Sequence, residues 1–128
     1  MRRVVVLLAL LSVCDGVTFS QLCSGNPNNQ RRTSDMWGQG NYGASRQDRL
    51  HQGLDIVCND GATVYAPFDV KLKGQVIVYP NGLKMAINKG IKLEGEGLCF
   101  KLFYSVYPGI TSHVHVQMCN KSDPTRYF

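Results

Sequence analysis

Between residues 54 and 119 the chain is cut into short pieces rich in β-branched and aromatic residues, and that segmentation favours strands over helices. The pieces are Leu54 to Cys58, Thr63 to Ala66, Val70 to Tyr79, Lys84 to Asn88, Ile91 to Glu94, Leu98 to Val106 and His113 to Cys119. Between them lie NDG, APF, PNG, NKG, EGEG and YPG, whose Gly or Asn can take positive φ; Gly61 and Gly82 are read as turn glycines. No stretch keeps a helical period over a useful length. The expected fold is all-β: a small antiparallel sheet with hairpins and long loops. Residues 21–50 carry few apolar side chains and many turn formers, which predicts a loop-rich N-terminal region in one domain with the β part, 51–128. There is no internal repeat or low-complexity segment.

Ahead of this stands a leader. Arg2 and Arg3 precede the apolar run Val4 to Val13, and small residues follow at Gly16 and Ser20, the pattern of a secretory signal peptide over residues 1–20, with cleavage between Gly16 and Gln21. About ten apolar residues fall short of the roughly twenty a bilayer-spanning helix requires, so no membrane insertion is expected. Export leaves Cys23, Cys58, Cys99 and Cys119, and two disulfides are their natural use in an oxidising compartment. No pair is spaced CxxC, so a thiolate zinc knuckle is a poor reading. Sequence allows three pairings; Cys23 with Cys58 and Cys99 with Cys119 keeps each bridge within one half of the chain. Closing those loops stabilises a chain this short by roughly 4 and roughly 3 kcal/mol on a chain-entropy estimate.

The formal charge of +5 includes Arg2, Arg3 and Asp15; without the leader it is +4, a mild bias. Arg31, Arg32, Arg46 and Arg49 sit in a polar stretch without the aromatic interleaving of single-strand binders, so nucleic acid is not an expected partner. They are read as a solvated loop, with docking of sulfated glycans or acidic cell-surface partners as the alternative. Trp37 and Tyr42 are read as a satellite cluster on the sheet rather than partner anchors. Asn120, Lys121 and Ser122 form an N-glycosylation sequon.

All three histidines lie in two motifs, HQGLD at 51–55 and HVHV at 113–116. Side chains at i and i+2 of a strand leave the same face, so His113 and His115 point into one space. Two imidazoles and a carboxylate suit zinc, which takes nitrogen and oxygen ligands at about 2.0 to 2.2 Å, whereas calcium and magnesium favour oxygen-rich cages. Spacing alone leaves a plain alternative open: an Asp capping a turn beside exposed histidines.

HQGLDIVCNDGATVYAPFDVKLKG followed by YPGITSHVHV resembles the lysostaphin-type zinc metallopeptidase domain, with its HxxxD and HxH motifs on a strand-rich core. More closely, CSGNPNNQRRTSD, VYAPF, GEGLCFKLFY and CNKSDPTRYF are similar to the family of leukocyte cell-derived chemotaxin 2 and avian myeloid protein 1 over nearly every residue after the leader. The resemblance implies a zinc ion held by His51, Asp55 and His115, with His113 where a peptidase places its base. Active relatives need a further histidine from another strand beside a Tyr to steady the oxyanion; here the segment Phe103, Tyr104, Ser105 offers at best a tyrosine hydroxyl. The resemblance therefore implies a secreted, non-catalytic, cytokine-like factor of innate immunity, chemotactic for leukocytes through cell-surface receptors. An active zinc endopeptidase and a myeloid granule storage protein are the alternatives.

Two departures from the family pattern stand out. Ser34 and Gln39 occupy the positions of an extra Cys pair. About two dozen residues, a hairpin's worth, are missing after Tyr104, where only Ser105 precedes Val106. The missing strands are expected to pair with the strand that bears His113 and His115, so their loss is expected to expose an apolar edge.

Overall fold

The computed structural model describes residues 16–47, 49–76, 90–105 and 109–128. Among the described residues, five strands form one antiparallel sheet: β1 (Leu54–Val57), β2 (Lys71–Val76), β3 (Gly90–Gly95), β4 (Leu98–Ser105) and β5 (His113–Met118), in the order β1-β5-β4-β3-β2. A 3-10 turn, Thr125–Tyr127, follows. The all-β expectation holds. β3 and β4 are joined at Gly95↔Leu98 by a two-residue turn in which Glu96 and Gly97 both have positive φ, 50° and 77°, the twist that matches flanking strands.

The alternation of β1 and β5 sorts side chains between two faces. Leu54, Ile56, Val114, Val116 and Met118 turn to one side and meet Phe100, Leu102 and Leu93 of the neighbouring strands, all buried. Loops close over this core: Phe19 and Leu22 enter from the N-terminal side and Tyr127 from the C-terminal end. Phe19 packs at 4.9 Å from the Phe100 ring, and its N–H donates to the Tyr127 carbonyl at 2.7 Å. Phe19 and Ser20 are thus part of the folded domain although they fall within the stretch read as the leader; Ser20 bonds to the Pro67 carbonyl. Residues 1–15 of the leader, with Cys14, lie outside the described residues.

Both disulfides form, Cys23–Cys58 and Cys99–Cys119, with Cα–Cα separations of 5.6 and 5.4 Å. The first ties the N-terminal loops to the end of β1, and the second ties β4 to the residue after β5. Among the described residues, the region before β1 has isolated bridges only.

Two expectations change. Thr63 to Ala66 is not a strand: Val64 makes one isolated bridge to Cys23, because the segment it faces turns back at Asn26 after a single pairing. β5 has no free edge, since β1 pairs with one side and β4 with the other, so the strand bearing the histidines is covered without the absent hairpin. The edge of β1 is itself lined by loop backbone, with Arg32 N–H donating to the Asp55 carbonyl at 2.8 Å and Val57 N–H to the Gln30 carbonyl at 2.9 Å. At the other edge, β2 is short and exposed, bears Lys71 and Lys73, and is interrupted by a register shift between Leu72 and Gly74; these features discourage edge pairing. The expected strand Lys84 to Asn88, Gly82 and Val106 lie outside the described residues.

Candidate metal centre

On the opposite face of β1 and β5, the register Asp55↔His115 sets a carboxylate beside an imidazole, and Val57↔His113 places the second imidazole two pairs further along. His51 reaches the same point from the loop before β1. The Nε2 of His51, the Nδ1 of His115 and the Oδ1 of Asp55 are mutually 3.1, 2.9 and 3.2 Å apart. A tetrahedral ion with bonds of about 2.0 to 2.1 Å has ligand edges of about 3.3 Å, so this triangle is close to one face of such a site.

Proton accounting points the same way. The Nδ1 of His51 lies 2.8 Å from the Asn41 carbonyl, which can only accept, and the Nε2 of His115 lies 3.0 Å from Oε1 of Gln117. Each outer nitrogen therefore carries its ring's proton and each inner nitrogen turns a lone pair inward. Two such lone pairs and a carboxylate oxygen converging in a buried space suit a cation, and hydrogen bonds from the outer nitrogens are of the kind that orient metal-bound histidines. His51, Asp55 and His115 can hold a metal ion.

The surroundings fix this geometry. A Cβ at Gly53 would come within 2.5 Å of the His115 ring and of the Val116 carbonyl, so HQGLD needs its glycine for the ring to pass. The Phe103 ring lies nearly parallel to His115, at 14° with centroids 5.6 Å apart. Asp55 is buried; desolvation opposes its ionisation, but the close imidazoles of His115 and His51 and the field of His113 outweigh it and hold the carboxyl well below the usual range.

His113 is also buried, with its Nδ1 2.7 Å from the Thr111 carbonyl and its Nε2 3.5 Å from Oδ2 of Asp55. Burial, with help from Arg32 and His115, depresses its pKa against the pull of Asp55 and of Thr111. It therefore offers a neutral imidazole with Nε2 open. Tyr104 does not join the site. It pairs with Val114 on the core side of the sheet, and its hydroxyl bonds to the Asp60 carboxylate. The possible oxyanion role for that hydroxyl is thereby lost.

Sequence reasoning missed Arg32. Only 2% exposed, it donates to Oδ2 of Asp55 through Nε at 3.1 Å. Arg46 is half-buried, 4.0 Å from the same oxygen, so two of the four arginines read as solvated turn inward, while Arg31 and Arg49 stay exposed. The i, i+3 pair Arg32 and Asp35, joined at 2.8 Å, was a signal available in RRTSD. Trp37 is 40% exposed at the tip of the loop, and Tyr42 donates its hydroxyl to the Lys121 carbonyl at 2.7 Å. Asn120 is exposed, its Oδ1 accepting from the Ser122 backbone N–H at 3.0 Å.

No family model matches the chain. Among curated proteins it is 41% identical to Leukocyte cell-derived chemotaxin-2 of Bos taurus over 145 residues, covering 95% of each chain. It is 40% identical to the Mus musculus protein of the same name over 147 residues, 97% of this chain and 96% of the relative. The chain belongs to the leukocyte cell-derived chemotaxin-2 family. Myeloid protein 1 of Gallus gallus is 39% identical over 130 residues, 81% of this chain and 39% of that protein. The first two alignments are longer than the 128 residues of this chain, so these relatives carry residues that it lacks, in keeping with the missing hairpin.

Among the described residues, no helix is long and apolar enough to cross a membrane, and the two disulfides fit an extracellular setting.

Proposed function

We propose that this chain is a secreted, zinc-holding, non-catalytic factor of innate immunity that recruits leukocytes by contacting cell-surface receptors. The observation that carries the reading is full-length similarity to proteins named chemotaxins, together with the buried triangle of His51, Asp55 and His115. The donor set of two imidazole nitrogens and one carboxylate oxygen favours zinc over calcium or magnesium. The ion's contribution here is structural: it joins the loop before β1 to β1 and β5. Export removes the leader ahead of Phe19, because Phe19 is a core residue of the domain. Exposed Arg31 and Arg49 are left to meet receptors or sulfated glycans, and Asn120 is presented for glycosylation.

Purified secreted protein should contain one equivalent of zinc and should attract leukocytes in a migration chamber. Asp55→Ala should bind the ion at least tenfold more weakly, since two neutral imidazoles alone seldom retain it. Equal zinc content in wild type and this variant refutes the site, and absence of migration at any concentration refutes the chemotactic role.

The second reading, a zinc endopeptidase, draws on His113 and its open Nε2 beside Asp55. Against it, no fourth histidine exists and Tyr104 faces away. Its signature is zinc-dependent peptide hydrolysis that His113→Ala abolishes. Storage in myeloid granules, in line with the relative named Myeloid protein 1, predicts the protein in granule fractions rather than plasma.

A further inference from the structure

The two oxygens of Asp55 have different occupations. Oδ1 faces His51 and His115, while Oδ2 receives Nε and Nη2 of Arg32, each at 3.1 Å. That two-nitrogen grip on one oxygen is stronger and more directional than a neutral hydrogen bond. Arg32 is itself immobilised. Its Nη1 donates to the Gly38 carbonyl at 2.9 Å and meets Oδ1 of Asp35 at 2.8 Å. Asp35 is in turn anchored by the backbone N–H of Trp37 at 2.8 Å and of Thr111 at 2.9 Å. Gly40 seals the clasp: its N–H donates to the Arg32 carbonyl, its carbonyl accepts from Asp55 N–H, and a Cβ there would sit 2.6 Å from the Arg32 oxygen.

We propose that Arg32 is a positioning residue which confines Asp55 to one-oxygen coordination and thereby sets the metal preference of the site. The inference rests on the reading of His51, Asp55 and His115 as metal ligands. A carboxylate free to give both oxygens raises the coordination number and accommodates larger, harder ions, whereas one held to a single oxygen keeps the low coordination number that zinc favours. Arg32 removes that freedom because its planar fork holds Oδ2, a geometry lysine does not reproduce.

The test uses the secreted full chain loaded with cobalt in place of zinc, and competition of zinc against manganese. Wild type should show the intense visible bands of a four-coordinate cobalt centre. Arg32→Gln should show the weaker bands of a higher-coordinate one and a zinc-over-manganese preference reduced about tenfold or more, within the range for loss of an outer-sphere partner. Arg32→Lys should not restore the wild-type spectrum, and Arg31→Gln, altering the exposed neighbour, should leave it unchanged. If Arg32→Gln is not secreted, Asp35→Asn loosens the same guanidinium and should shift spectrum and preference in the same direction by a smaller factor. An unchanged spectrum and preference in the Arg32 variant, or in Asp35→Asn where it serves instead, overturns the inference. Failure of wild type to take up any metal refutes the underlying metal reading instead.

Discussion

The same two strands, β1 and β5, build two unlike surfaces. On the core side, Leu54, Ile56, Val114 and Val116 are buried among many apolar neighbours, so each position asks only for size and hydrophobicity. On the other side, Asp55 and His115 have named partners at single hydrogen-bond distances: Arg32, His51 and Gln117. Packing energy on the first face is shared among contacts; geometry on the second is held by pairs that cannot substitute for one another. A substitution on the core face should therefore change stability with little effect on the metal, and one on the polar face should do the reverse.

The largest effect expected is Phe100→Ala. Phe100 is fully buried between Phe19 and Phe68, and truncating a buried Phe costs about 3 to 5 kcal/mol. Denaturant unfolding should show that loss, with zinc stoichiometry retained in whatever fraction folds. Disappearance of the zinc site at unchanged stability would reverse the assignment of the two faces.

Gly53→Ala should sharpen the division from the polar side. The added methyl meets the His115 ring and the Val116 carbonyl, so the ring must turn away from Asp55. Overpacking of this kind costs about 1 to 3 kcal/mol, and zinc affinity should fall by more than the stability loss accounts for. Retained affinity, measured by competition with a chelator, would show that the glycine is not what admits the ring.

The strands that survive into the fold are those whose pattern is enforced from two sides. HVHV states its own alternation, and its partner β1 states the complement, so β5, Asp55 and His115 were legible together. The segment Thr63 to Ala66 has strand composition but faces a turn, and composition cannot report the partner's shape. Arg32 was harder to read for a related reason. The i, i+3 spacing to Asp35 is its one local signal; what separates it decisively from Arg31 is the bridge Arg31↔Ile56, which turns one side chain out and the next in, toward a carboxylate 23 residues away. Of the three pairings the sequence allows, the one that keeps each bridge within one half of the chain is the one formed, and the sheet fixes it by placing Cys99 beside Cys119.

The smallest effect expected lies at the far end of the clasp, at Asp35. Its carboxyl is held below the ordinary value: desolvation opposes, but the N–H groups of Thr111 and Trp37 and the Arg32 guanidinium prevail. A carboxyl depressed in the folded state is ionised there while the unfolded chain already binds a proton. Its contribution is thus complete above the unfolded value of about 3.9 and is lost as pH falls through the lower folded value. Asp35→Asn should therefore be less stable than wild type at neutral pH, and the gap should narrow on acidification below about pH 3.9. Parallel denaturant curves at several pH values measure this. A gap that stays constant from neutral to acid pH would show that the carboxylate's charge adds nothing to the hold on Arg32, leaving only the shape of the side chain to explain the clasp.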